Sequence, residues 1–145
     1  MTEKLIVKPP MWFWIIGVIA LIWNLMGVSA YLMDAFMSAE ALQTLPEAER
    51  LLYESRPIWA TACYAVAVWA GLAGAVGLLW KKKWAKTAFM LSLAGILLQQ
   101  LYHFFLSNTF EVLGSAAMAF PIVIILIGIG LVAFANYSIK QKWLI

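Results

Sequence analysis

The chain has 145 residues, of which 65% are hydrophobic and 12% charged, with a net charge of +3; soluble globular domains are roughly 45–50% apolar and 25% charged. This composition excludes a soluble enzyme, a disordered tail and a collagen-like fibre, because a small soluble domain must cover its surface with polar groups. The single cysteine, Cys63, also excludes an intramolecular disulfide and a zinc site built from several thiolates. The chain is therefore predicted to be a polytopic membrane protein.

Four stretches without Asp, Glu, Lys or Arg follow one another along the chain, at 11–33, 58–80, 87–106 and 114–137. Each has about 20 residues or more, enough for a helix to cross the roughly 30 Å hydrocarbon layer at 1.5 Å per residue. In hydrocarbon the backbone must satisfy its own hydrogen bonds, so these stretches are expected to be helices. The prediction is one membrane domain, an all-α integral membrane four-helix bundle with an outer loop at 34–57.

The first stretch shares two features with a secretory signal peptide. Lys4 and Lys8 precede it, and the small residues Val28, Ser29 and Ala30 look like a cleavage site. However, a signal peptide has an apolar region of about 7–15 residues, and the uncharged run here is longer. The sequence therefore favours a retained first span; cleavage would leave three spans and place the new N-terminus outside.

The loop at 34–57 is predicted to contain two short helices. Ser38 can cap the first, and Thr44 with Glu47 has the spacing of a capping box for the second. We expect the loop to lie on the bilayer or across the mouth of the bundle, as an amphipathic connector or as a lid. The apolar side of the second helix is predicted to comprise Leu45, Ala48, Leu51 and Leu52.

All eight lysines are predicted to lie at one side of the membrane, in the two tails and in the turn between the second and third spans. With Glu3 this side has a net charge of +7, whereas two arginines and six acids give the other side −4. The positive-inside rule predicts that both termini are cytoplasmic. A nucleic-acid partner is not expected, since the basic residues flank membrane spans. Contacts with anionic membrane lipids are predicted for Lys81, Lys82, Lys83 and Lys86.

Polar side chains within the spans are the candidate site, because a polar group in hydrocarbon is costly unless it is paired. Asn24 and Gln99 lie at similar depths, about 20 Å along spans that run in the same direction. The helix faces that carry these residues are expected to meet. They would form either hydrogen bonds that hold the helices together or a polar pocket for a small neutral solute. The candidate cluster comprises Asn24, Tyr31, Tyr64, Gln99, Gln100, Tyr102 and His103.

No residue set for catalysis is recognisable. His103 is the only histidine, whereas a metal site needs several ligands at short spacing. A proton shuttle between His103 and Glu111 is one alternative, and an interfacial histidine with ordinary hydrogen bonds is favoured. Asp34 and Glu111 are expected to be solvated carboxylates at span ends. The sequence predicts no enzyme activity, no metal and no cofactor.

Small residues recur on the second span at helical spacing, at Ala67, Gly71, Gly74 and Gly77. They predict close helix packing within the monomer, and the same surface could serve a homo-oligomer. In the fourth span, Pro121 is predicted to kink the outer third of the helix.

Four segments carry a resemblance to a known family: WNLMGVSAYL at 23–32, LPEA at 45–48, PIWATA at 57–62 and PIVII at 121–125. Together they resemble a family of small bacterial inner-membrane proteins, many from flavobacteria and their relatives, and the similarity covers nearly the whole chain. Some members carry the label "sugar transporter". The resemblance implies a bacterial inner-membrane location and the transport of a sugar, and it assigns no binding residue.

Two functions stay open from the sequence. One is a structural membrane protein that binds a partner or lipid; the other is a facilitator of a small neutral solute, acting as an oligomer. The small multidrug-resistance family has a glutamate in its first span, where this chain has Asn24. Because no acidic residue lies within the spans, transport coupled to protons or sodium is not expected. Facilitated diffusion is the transport mechanism that stays open.

Overall fold

The computed structural model describes residues 7–106, 114 and 118–144, and these residues contain α-helices, one π-helical segment and no β-strand. Four of the helices are long and apolar enough to cross a membrane. The predicted fold class, an all-α integral membrane four-helix bundle, is therefore confirmed. The elements are α1 (Met11–Ala35), α2 (Ala39–Gln43), α3 (Glu47–Ser55), α4 (Ile58–Leu79), α5 (Trp84–Leu101), a π segment (Tyr102–Leu106) that continues α5, and α6 (Ala119–Lys140).

The start of α6 differs from the predicted fourth span. Gly114 is not helical and has a φ of 95°, and the helix begins at Ala119. Pro121 consequently lies in the first helical turn, where backbone N–H groups have no intrahelical acceptor. A kink was predicted at Pro121 because proline removes a backbone hydrogen bond inside a helix. In the first turn there is no such bond to remove, so the physical basis for the predicted kink is absent.

The long helices alternate in direction. α4 packs most extensively on α5, while α1 packs on α4 and α6 packs on α5. Gly95 of α5 permits close approach to the backbone of α4, since a Cβ there would lie 2.8 Å from the Cys63 carbonyl oxygen and 3.0 Å from the Ala67 backbone nitrogen, and Gly71, Gly74 and Gly77 of α4 leave similarly little room. The small residues of α4 thus serve close packing within the monomer, as predicted.

The compact part of the core lies at the end of the bundle that contains the α4–α5 turn and both chain tails, which we call the lysine end. Phe13, Leu78 and Phe89 are at most 2% exposed. The Trp143 ring packs edge-on against the Phe13 ring, with 5.6 Å between centroids. The Val7 backbone N–H donates to the Lys142 carbonyl at 3.0 Å, so the two tails lie together.

The α6 helix is peripheral. Only 6% of its most apolar 18-residue stretch is buried. At the lysine end it meets α1 through aromatic rings, Phe13 with Phe134 at 5.7 Å between centroids. Towards the opposite end, which we call the loop end, the Trp23 and Phe120 rings are 6.3 Å apart. Side chains rather than close backbone contact therefore join α1 to α6, and we call this boundary the α1–α6 seam.

The two loop helices form as predicted, but one predicted cap is wrong. The Ser38 hydroxyl accepts a hydrogen bond from the Ala41 N–H at 3.1 Å and so caps α2. Thr44 ends α2 with helical backbone angles, and its hydroxyl donates to the Ala41 carbonyl. An N-cap needs an extended backbone, and Pro46 supplies it before α3 begins at Glu47. Thr44 and Glu47 therefore do not form a capping box.

Candidate functional site

A cavity of about 510 Å³ lies at the loop end, between the long helices and the segment that connects α1 to α4. This volume is within the usual range of small-molecule sites, about 300–1,000 Å³. Tyr31 is not among the lining residues; its ring packs edge-on against the Tyr64 ring, with 5.2 Å between centroids. The other six predicted site residues line the cavity: Asn24, Tyr64, Gln99, Gln100, Tyr102 and His103.

The deep wall of the cavity contains two buried polar side chains from different helices. The Asn24 side-chain amide donates to the Ala20 carbonyl at 2.8 Å, and the Ser92 hydroxyl donates to the Ala67 carbonyl at 2.6 Å. Gly71 of α4 lies between them, because a Cβ there would collide with Asn24 Oδ1 and lie 3.1 Å from Ser92 Oγ. A glycine at this position thus makes room for both polar groups.

The predicted site residues lie around one cavity, but Asn24 and Gln99 are not joined by a hydrogen bond. Asn24 and Gln99 line the same cavity, but the Asn24 amide bonds to the backbone of its own helix. Sequence reasoning missed Ser92, although Ser92, Gly95 and Gln99 follow each other at helical spacing on one face of α5. That spacing is the signal that could have identified it.

Gln100 is the polar residue whose hydrogen bonding is incomplete. It is 7% exposed, and its Oε1 atom accepts no hydrogen bond from the residues that the structure describes. Within that part of the chain it is the only fully buried side-chain nitrogen or oxygen without a partner. Leaving a buried acceptor unpaired costs about 1–3 kcal/mol, so such an atom calls for an explanation.

An ion pair between Asp34 and Arg56 forms part of the cavity lining next to the loop. The two guanidinium nitrogens donate to the two carboxylate oxygens at 2.9 and 3.0 Å, and the side chains are 22% and 14% exposed. The prediction of a solvated carboxylate at Asp34 is therefore wrong. The pair joins the end of α1 to the residue after α3, which ties the two ends of the loop together. Glu111 lies outside the described residues.

The loop between α1 and α4 lies across the mouth of the bundle, one of the two placements expected. Its residues Leu45, Glu49 and Leu52 line the cavity, whereas Ala48 and Leu51 are exposed. The lining side of α3 therefore differs from the predicted apolar side and includes a carboxylate. Arg56, one turn after Leu52, continues this inward face and is bonded there to Asp34.

The side wall of the cavity reaches the outer surface of the bundle along the α1–α6 seam. Trp23 and Met26 line it from α1, and Phe120 and Ile124 line it from α6. Met26 and Phe120 are 61% and 62% exposed, so their side chains face both the cavity and the surroundings of the bundle. The cavity consequently borders the outer surface of the bundle as well as the loop.

The fourth wall comes from the π segment, which begins at Tyr102 and contains His103. Tyr102 is buried, and its ring packs edge-on against the Trp59 ring, with 5.6 Å between centroids. A π-helical turn is rare and occurs frequently at functional sites. Two predicted site residues are thus presented by an irregular turn of the helix.

The predicted lipid-contact lysines differ in their surroundings. Lys82 and Lys83 are exposed, and Lys81 and Lys86 are half-buried. The Lys86 ammonium donates to Asn136 Oδ1 of α6 at 3.0 Å, a contact that sequence reasoning did not include. Headgroup contact stays a prediction for these four residues.

The fold and the cavity define an integral membrane helical bundle with a mostly apolar cavity at one end, which several polar side chains also line. Among residues 7–106, 114 and 118–144, no group of three or more His, Cys, Asp and Glu side chains could hold a metal ion. Comparison with protein-family models, curated proteins and solved structures gave no match.

Proposed function

We propose that this protein is a non-enzymatic membrane protein that binds a small neutral molecule or lipid in the loop-end cavity. The observation that carries the proposal is a ligand-sized cavity of about 510 Å³ whose deep wall holds two buried polar side chains, Asn24 and Ser92. The cavity then serves binding, and the Asn24 and Ser92 bonds hold its deep wall in place.

The charges around the cavity disfavour an anionic ligand. Asp34 and Arg56 neutralise each other through two hydrogen bonds, and Glu49 adds a second carboxylate to the lining. The described lining therefore carries one arginine against two carboxylates. An anionic ligand is disfavoured by that balance, and a cationic ligand would meet one half-buried carboxylate close to the loop.

A facilitator of a small neutral solute, such as a sugar, is the alternative, acting as a homo-oligomer. Two observations favour it: the polar wall reaches Asn24 inside the membrane span, and α6 has little buried surface, which leaves a face for a second copy. Passage of a solute requires the lysine end to open, where Phe13, Leu78 and Phe89 are closely packed. The packing therefore supports binding more strongly than conduction.

We further propose that the protein lies in a bacterial inner membrane with both termini in the cytoplasm. The excess of lysine at the end where Val7 pairs with Lys142 supports this orientation. The loop and the cavity mouth then face the periplasm. Cysteine labelling of a tail residue from each side of intact cells tests it: access from the periplasm contradicts this orientation.

The binding proposal is tested by filling the cavity. Ala30 lines the cavity and Ala73 faces outward on α4, so Ala30→Trp and Ala73→Trp form a matched pair. Native mass spectrometry with monoolein, methyl oleate and glucose as probes is expected to show adducts on the wild type and Ala73→Trp. Ala30→Trp is expected to lose them. Failure of all three probes to bind the wild type, or equal binding to Ala30→Trp, overturns the proposal.

The same preparation separates binding from transport. In proteoliposomes, uptake of radiolabelled glucose above that of empty vesicles, with sensitivity to Ala30→Trp, supports the facilitator. Binding without uptake supports the binding protein.

A further inference from the structure

We infer that Asn24 selects the ligand of the loop-end cavity: its Oδ1 atom accepts a hydrogen bond from the hydroxyl group of an otherwise apolar, neutral molecule, an alcohol or a phenol. This inference rests on the proposed binding function and deepens it, because it names a specificity-determining residue and a ligand class.

The side-chain oxygen of Asn24 is an accessible acceptor without a partner. The Asn24 amide nitrogen donates to the Ala20 carbonyl at 2.8 Å, whereas Oδ1 accepts no hydrogen bond from the residues that the structure describes. Among these residues, Gln100 Oε1 is the only fully buried side-chain nitrogen or oxygen without a partner, so Asn24 Oδ1 is accessible. Asn24 lines the cavity and is 8% exposed. The accessible oxygen therefore belongs to the cavity wall.

The orientation of the Asn24 amide is fixed by its surroundings. Only its nitrogen can donate to the Ala20 carbonyl, so the oxygen lies on the other side of the amide. Gly71 of α4 makes room for this oxygen, since a Cβ at Gly71 would collide with it. An acceptor that is already held in place binds a donor at a lower entropic cost than a mobile one. Asn24 Oδ1 is thus a preorganised acceptor.

The neighbouring polar side chains define a donor's position less well. Ser92 Oγ can also accept a hydrogen bond, but this hydroxyl is already engaged with the Ala67 carbonyl at 2.6 Å. Gln99 is half-buried, and no hydrogen bond from its amide to the described residues fixes which of its two polar atoms faces the cavity. A hydroxyl on the ligand consequently finds its best-defined partner at Asn24.

The ligand class follows from a fixed acceptor in a mostly apolar cavity. Apolar side chains from all four long helices line the cavity, among them Trp23, Val68, Ile96 and Ile124. An ether, an ester or a ketone has no donor, so it would displace water from Oδ1 and leave that atom unpaired. An ammonium group has donors, but burying its charge among apolar side chains is costly. A hydroxyl supplies the donor without a charge.

The hydroxyl contact is tested with 4-octylphenol and 4-octylanisole, which differ only in the replacement of the phenolic O–H by O–CH₃. The rise in melting temperature of the full chain in detergent gives the affinity for each probe. Comparing the phenol-to-anisole affinity ratio between variants cancels the partition of each probe into micelles. This ratio is expected to be about tenfold higher in the wild type than in Asn24→Leu, the scale of one hydrogen bond.

Two further variants control this measurement. Asn136→Leu makes the same chemical change at the lysine end, away from the residues that line the cavity, and is expected to keep the wild-type ratio. Asn24→Ala also lacks the acceptor but introduces no larger side chain, and it is expected to give the same lowered ratio as Asn24→Leu. It repeats the test where the leucine variant does not fold.

The outcomes separate this inference from the proposed function. If both probes bind and the ratio is the same in the wild type and in the two Asn24 variants, the role of Asn24 is wrong while binding in the cavity stands. If 4-octylphenol does not bind the wild type, the ligand class is wrong. The proposed function fails with it only if monoolein, methyl oleate and glucose also give no adducts.

Discussion

The two ends of this bundle contain the same four helices but are packed in opposite ways. At the lysine end, large rings fill the space between helices, and Phe13 and Phe89 are at most 2% exposed. At the loop end, a cavity of about 510 Å³ stays open and is lined by apolar side chains together with amides, hydroxyls and an ion pair. Dense packing in hydrocarbon supplies the dispersion energy that holds membrane helices together. The comparison indicates that the lysine end stabilises the bundle and leaves the loop end free to bind.

The largest effect is expected from a cavity made at the lysine end. Phe89 is 2% exposed, and its ring fills the space that a side chain at Gly74 would otherwise occupy. Phe89→Ala is expected to destabilise the protein by about 3–5 kcal/mol. Phe120→Ala, at a 62% exposed residue of the loop end, is the control with little loss. Unfolding in detergent mixtures measures both, and equal losses would contradict the division of roles.

The second effect concerns the ion pair that closes the loop. Arg56→Gln is expected to destabilise the fold by about 2 kcal/mol, the scale of hydrogen bonds to a charged group. It is also expected to expose Arg50 of α3 to trypsin, because the loop is no longer tied at both ends. The charge swap, Asp34→Arg with Arg56→Asp, restores part of the protection if the pair itself is responsible. Unchanged cleavage in Arg56→Gln contradicts this role.

A third test adds one methyl group at each of two glycines. Gly71→Ala forces the methyl against Asn24 Oδ1 and Ser92 Oγ, and overpacking of this kind costs about 1–3 kcal/mol. At Gly130 no neighbouring atom lies within 4 Å of the added methyl. Gly130→Ala is expected to be neutral or stabilising by up to about 1 kcal/mol, because alanine loses less backbone entropy. If Gly71→Ala and Gly130→Ala change the melting temperature in the same direction, Gly71 is not in close contact with Asn24 and Ser92.

The smallest effect is expected at the lysines. Lys86→Met removes the hydrogen bond to Asn136, and side-chain hydrogen bonds in membrane helices are worth about 0.6 kcal/mol on average. Lys82→Met, at an exposed residue, is expected to leave unfolding unchanged and to weaken retention on anionic vesicles. If Lys86→Met weakens retention on anionic vesicles but leaves unfolding unchanged, Lys86 contacts lipid headgroups and its bond to Asn136 does not stabilise the fold.

Sequence reasoning predicted the parts of this molecule that depend on local composition. The spans were predictable because charge-free stretches of sufficient length have no other stable form in a bilayer. Asn24, Gln99 and Gln100 were recognisable for a related reason, since polar residues are rare in hydrocarbon and stand out from their neighbours. These rules need only the chain itself and the thickness of the membrane.

The parts that depend on tertiary contacts were not predictable in the same way. Asp34 and Arg56 are 22 residues apart, and only the folded loop brings them together. The rotation of α3 could not be read from its pattern, because Leu51 and Leu52 are equally apolar but only Leu52 faces inward. Ser92 was not predicted as a site residue because a small hydroxyl residue is tolerated on any face of a membrane helix.

The backbone contact at Gly95 has a mechanical consequence. With a carbonyl of α4 only 2.8 Å from the position of an added Cβ, and with Ser92 bonded to the Ala67 carbonyl, α4 and α5 cannot slide past one another without breaking both contacts. They form a rigid-body pair. A widening of the cavity is therefore expected to come from movement of α6, the span with the smallest buried share, rather than from sliding of α4 on α5.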